Sequence, residues 1–161
     1  MEIRNSSVEE RIKRHLAFWK RESVDRPLLG FMIGSYFPME RFEEAKKITE
    51  KKDVVNPEDI IPARFIDDYN RLYSYSLQVD HDIFWVAEPF TGLPWMEAML
   101  GCKVYGSKDS MWTEPFVKDI EKLDRITLQE ENPWHNKFIE FTELLSHISE
   151  GRFPVGQPIL R

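Results

Sequence analysis

Ile12, Leu16 and Trp19 recur at spacings of four and three, a single apolar stripe on a helix. Ser7-Val8-Glu9-Glu10 ahead of them is a capping box, in which the serine hydroxyl takes a backbone N–H and Glu10 reaches back. The pattern predicts a helix running to about Glu22, broken by Asp25-Arg26-Pro27, since proline disfavours helix in the residue before it. From Pro27 to Gly34 the chain is continuously apolar without alternation, which predicts a strand buried on both faces. Ser35-Tyr36-Phe37-Pro38 forms the loop at its carboxyl end, and a short polar helix follows, about Met39 to Lys47.

Asn56-Pro57-Glu58 marks the next helix start, with Asn as cap and Pro at the first position. Phe65, Ile66, Tyr69, Leu72 and Tyr73 continue it as an amphipathic helix to about Leu77. Asp82 to Ala87 is the second buried strand, and Glu88-Pro89-Phe90-Thr91-Gly92-Leu93-Pro94 the turn leaving it. Pro94 opens a short helix that Gly101 closes. Residues 103–106 and 110–113 read as short extended pieces. The last helix starts at Asn132-Pro133, carries Trp134, Phe138, Phe141, Leu145 and Ile148 on one face, and ends at Gly151. Phe153 to Leu160 reads as a third principal strand.

Strands without alternation, separated by helices, imply a parallel sheet with helices on its outer face. A third strand with no helix after it leaves such a sheet open, and a complete (β/α)8 barrel takes about 250 residues. The expected fold class is therefore α/β: the amino-terminal portion of an incomplete TIM-type (β/α)8 barrel. It would be one partial domain, with residues 1–26 as an amino-terminal helix and 27–161 as the first strands and helices of the barrel.

Composition narrows the class further. Hydrophobic residues make up 42% and charged residues 31% of the 161 positions, as in a soluble globular chain. No apolar stretch approaches the ~20 residues of a membrane span, and the polar start, Met1-Glu2-Ile3-Arg4, lacks a signal peptide's apolar region, so the expected location is the cytoplasm. A net charge of −6 argues against a nucleic-acid partner, which requires a basic face. Cys102 is the single cysteine, so neither an internal disulfide nor a two-cysteine metal spacing arises. Aromatic residues, at 13%, are read first as core and second as the wall of a site for a planar or apolar ligand.

Two segments carry a resemblance. Glu88-Pro-Phe-Thr-Gly-Leu-Pro-Trp-Met-Glu-Ala-Met-Leu-Gly-Cys102 resembles the segment after an early strand in uroporphyrinogen-decarboxylase-like proteins. Gly151-Arg-Phe-Pro-Val-Gly-Gln-Pro-Ile-Leu-Arg161 resembles a later strand of that family, and the Arg26-Pro27 junction after an amphipathic helix is similar too. The resemblance implies a barrel whose carboxyl-end loops build a deep cleft. It implies one of two chemistries: removal of acetate carboxyls from a tetrapyrrole, or methyl transfer between a corrinoid and a zinc-activated thiol. The arginine-rich glycine motif of the decarboxylases is replaced here by Gly34-Ser35-Tyr36-Phe37-Pro38, which favours the methyltransferase-related branch. The implied partners are a small-molecule or tetrapyrrole substrate, a corrinoid protein and a second copy of the chain. Zinc and a corrinoid are implied only for a longer protein, with the metal ligands beyond Arg161. The alternative is a non-catalytic module for a tetrapyrrole or aromatic ligand, or an inactive fragment.

The candidate catalytic residue is Glu88, at the carboxyl end of an expected strand, where barrel enzymes carry their chemistry. Burial there would raise its pKa. Tyr36, Phe90, Trp95 and Arg161 are the candidate substrate-binding residues: Tyr36 through its hydroxyl, Phe90 and Trp95 as walls, Arg161 for an anionic group. Each aromatic has a packing role as its plainer reading. His81 is read as a surface residue, His15, His135 and His147 as solvated helix positions, and Cys102 as a small packed residue.

Overall fold

The computed structural model describes residues 6–115, 117, 127 and 131–158. Among the described residues six α-helices are formed: α1 (Val8–Lys20), α2 (Pro38–Arg41), α3 (Glu43–Thr49), α4 (Ile66–Ser76), α5 (Trp95–Met99) and α6 (Pro133–Ser149). Three short strands, β1 (Val54–Val55), β2 (Val104–Gly106) and β3 (Met111–Thr113), pair antiparallel in the order β1-β2-β3. Val54 lies opposite Tyr105, and Tyr105 opposite Trp112, whose rings stack at 5.9 Å. Two 3-10 turns, Pro57–Asp59 and Pro62–Phe65, lead into α4.

The local signals produce the helices they predict. Ser7 and Glu10 form the capping box of α1. Asn132 accepts the Trp134 and His135 amides at the start of α6, Pro133 occupies the first position, and Gly151 follows with a positive φ of 75°. The expected polar helix after Pro38 is split, because Phe42 is extended (φ −115°) and turns its ring into the core. The N-terminus of α3 is then capped from outside, by Asp68 of α4 accepting the Glu44 amide at 3.1 Å.

The core is aromatic. Phe65, Tyr69, Phe90 and Phe141 are fully buried, Phe42 nearly so, and their centroids lie 5.2 to 6.0 Å apart. Trp95 joins this group through Phe141 and extends it to Trp134 and Phe138, which fixes α5 against α6. Edge-to-face and tilted pairs of this kind add to the burial of each ring.

The expected parallel barrel segment is not what the chain builds. The described sheet is small and antiparallel, and none of the three expected principal strands forms among the described residues. Residues 27–34 form no strand, and Leu29, Phe31 and Met32 are exposed. The segment is tied at Leu29, whose carbonyl accepts the Asp82 amide at 2.7 Å and whose own amide donates to the Asp82 carboxylate at 2.8 Å. A side chain thus takes the donor that a neighbouring strand would need. The second expected strand, 82–87, is reduced to one parallel bridge, Ala87 to Val155. Pro89 and Pro154 beside it lack the N–H groups that would extend a ladder. Of the third expected strand, Ile159 and Leu160 lie outside the described residues.

One further expectation is reversed. His81 is buried, its Nε2 3.3 Å from the Ser76 carbonyl, where a surface position was expected. The α1 stripe faces solvent, while Arg11 and Arg14 of the same helix are buried.

Candidate functional site

Three of the residues singled out in the sequence line one cavity of about 540 Å³. Glu88, Tyr36 and Trp95 share its wall with Met32, Arg41, Leu93, Glu97 and Met111. That volume falls within the usual range for small-molecule sites, ~300–1,000 Å³. A second hollow of about 520 Å³ adjoins it across Pro38, Thr91, Gly92 and Met111, and reaches Glu40, Asp109 and Ser110.

Glu88 follows directly on the Ala87–Val155 bridge, which holds its backbone on both sides: Ala87 donates to the Pro154 carbonyl at 3.0 Å, and Gly156 to Ala87 at 2.8 Å. The buried Tyr69 phenol donates to the Glu88 carbonyl at 2.6 Å. The Glu88 side chain is half-buried, and among the described residues nothing pairs with its carboxyl in a hydrogen bond or salt bridge. Burial pushes its pKa above the ordinary glutamate value, and the positive charge of Arg41 only partly opposes this.

Arg41 ends α2 and reaches across to Thr91, donating from Nη2 at 3.2 Å. Its backbone is held from α4, where Arg71 donates to the Arg41 carbonyl and pairs with Asp68, both at 2.7 Å. The Arg41 Nε is buried with no partner among the described residues. Desolvation lowers its pKa, the nearby Glu88 charge acting against it, yet an arginine stays cationic throughout the physiological range. Glu97, in the first turn of α5, carries an Oε2 atom that is equally buried and unpartnered. A buried polar atom without a partner is an unmet hydrogen bond that a ligand can satisfy.

Gly34 packs close against the Arg41 side chain. Its φ of 82° suits glycine, and a Cβ there would lie 3.3 Å from the Arg41 stem. Tyr36 stands on the rim, largely exposed and edge-on to Phe37, in a loop and not at a strand end. Trp95 presents one edge to the cavity while its Nε1 donates to the Phe90 carbonyl at 3.0 Å. Phe90 itself is completely buried among Phe42 and Phe65, beneath Gly92, so it supports the floor and does not line it. Arg161 lies outside the described residues.

Sequence reasoning missed Arg41 and Glu97. Arg41 sits in a stretch that reads as a short polar helix, and Glu97 is a lone charge among the apolar residues of α5; the break at Phe42 and the packing of α5 on α6 bring them to the cavity.

Among the described residues no group of three or more His, Cys, Asp or Glu side chains could hold a metal ion, and no zinc site is assigned. No helix among them is long and apolar enough to cross a membrane. No protein-family profile, curated protein or solved structure matches the chain.

Proposed function

We propose that the cavity between α2 and α5 binds a planar organic acid, and that Glu88 acts there as a proton donor or hydrogen-bonding group toward it. The observation that carries this reading is the pairing of two unmet buried polar atoms, Arg41 Nε and Glu97 Oε2, with an unpaired carboxyl whose pKa is raised. An arginine fork suits a ligand carboxylate. A carboxylate such as Glu97 suits ligand N–H groups. Met32, Leu93, Trp95 and Met111 supply apolar wall for a ring system.

A tetrapyrrole with acetate side chains combines these three features, and it is the substrate type that the resemblance implies. A protonated Glu88 could deliver the proton that replaces a departing carboxyl group as CO2, the remaining electron pair taking that proton. A corrinoid-linked substrate would use the same walls without needing this transfer. Glu88 holds its proton to higher pH than a free glutamate, which suits the donor role.

The test is titration with uroporphyrin, a stable carboxylate-rich analogue, followed by its absorbance and by quenching of tryptophan fluorescence. Saturable binding is expected, with Arg41→Met weakening it at least ~10-fold, the worth of a charge-assisted hydrogen bond. Glu88→Gln keeps the shape and should leave binding within a few-fold, while abolishing any decarboxylation of the reduced substrate. Binding that ignores Arg41→Met would overturn the assignment of the cavity. Binding without turnover in the unmodified chain would reduce it to a ligand-holding module.

A further inference from the structure

The amino-terminal helix carries its apolar face outward. Val8, Ile12, Leu16 and Trp19 are all exposed, Trp19 to 77% of its area, and none belongs to the buried core. The helix cannot roll to hide them, because its opposite side is pinned. Arg14, on the side away from the stripe, pairs with Asp25 at 2.9 Å and with the buried Asp82, and His15, beside the stripe next to Val8, meets the Asp82 carbonyl at 3.0 Å. At 3.6 residues per turn the four apolar residues fall within one narrow stripe, about 20 Å long over the 13-residue helix.

The charges beside the stripe indicate what covers it. Glu9 and Lys20 lie on the same flank, one at each end, and neither has an ion-pair partner among the described residues. A helix with acid at its start and base at its end on one flank is complementary to itself when reversed. We propose that α1 is the contact helix of a two-fold dimer of this chain, in which two copies of α1 pack antiparallel. Ile12 then rests on the partner's Leu16, Val8 meets the partner's Trp19, and Glu9 faces the partner's Lys20, twice by symmetry. The antiparallel arrangement also opposes the two helix dipoles favourably.

The contact is small. Two helices of this length bury less than the ~1,200 Å² of a standard interface, so dissociation in roughly the micromolar range is expected. The unpartnered charges contribute more to orientation than to affinity.

Sedimentation velocity over a concentration series tests this on the full chain. A reversible monomer–dimer equilibrium is expected. Leu16→Glu, at a solvent-facing position, should give monomer at every concentration while leaving the circular dichroism spectrum unchanged. Glu9→Lys sets like charges against each other and should weaken the dimer ~5-fold or more, and adding Lys20→Glu should restore it. A chain that stays monomeric into the high micromolar range would overturn the proposal. So would a dimer indifferent to Leu16→Glu, which would place the contact on another face such as Phe31 and Met32, or a double reversal that fails to restore association.

Discussion

Among the described residues, Asp82 is the most heavily used side chain. It takes the Leu29 amide at 2.8 Å, Arg26 at 2.5 Å, and Arg14 besides, all while buried. Burial alone would raise its pKa, but the hydrogen bonds from Leu29, Arg26 and Arg14 outweigh that and leave it lowered. A lowered folded pKa means the ionised form is the stabilising one. Its contribution is fully present above the ordinary aspartate value of 3.8 and is lost as pH falls through the lower folded value. Asp82→Ala leaves the buried Arg14 without one of its two carboxylates, and a cost of about 3–5 kcal/mol is expected near neutral pH. Urea unfolding followed by circular dichroism checks it. The difference between the two proteins should shrink as pH falls below the ordinary aspartate value of 3.8 and the native carboxylate in turn becomes protonated. A cost that stayed constant with pH would mean that shape, and not charge, sets the value of this residue.

At the scale of elements, what was legible in the sequence is what its own neighbours determine. Asn132 and Pro133 start α6 and Gly151 follows its end, all local stereochemistry, and the helix forms as read. Asn132 does more than cap, since its Nδ2 also donates to the Met99 carbonyl at the end of α5, at 2.6 Å. Asn132→Ala should therefore cost more than the ~1 kcal/mol of an ordinary cap, and Asn132→Asp, which keeps the cap but loses the donor, should recover only part of it. Equal stability of the Asp and Asn proteins in thermal melts would show the Met99 bond to be idle. The strands were misread for the converse reason. Whether Leu28 to Ile33 pairs depends on a partner elsewhere in the chain, and Asp82 occupies the amide where a partner would begin. His81 was misplaced because burial of a polar ring follows from packing between distant segments and not from its neighbours. The cavity was half legible: Glu88 and Trp95 announce themselves beside Pro89 and Pro94, whereas Arg41 enters only because Phe42 breaks the helix.

At the scale of the whole molecule there are two unequal parts, joined by polar bonds at Asp82 and by the stacking of His15 on Phe84, centroids 6.4 Å apart. Aromatic rings from the α2–α3 junction, α4, α5 and α6 form one continuous core, to which α1 contributes no residue. Phe141 sits at the centre of that core, touching Phe65, Tyr69 and Trp95. Removing its ring should cost about 3–5 kcal/mol, because the surrounding rings cannot collapse into the space without losing contact with one another. The same truncation on α1, Leu16→Ala, should shift stability by no more than ~0.5 kcal/mol in dilute solution, where no second copy covers the stripe. The contrast is measurable in one experiment, thermal unfolding of both variants at low concentration, watched by near-ultraviolet circular dichroism of the buried tryptophans. Raising the concentration should then separate the native chain from Leu16→Ala, since only an α1 that is covered by association adds to apparent stability. If Leu16→Ala proved as damaging as Phe141→Ala in the dilute sample, α1 would belong to the core after all. The outward stripe would then be packed inward in solution, and the ionic tie at Asp82 would not be what orients the helix.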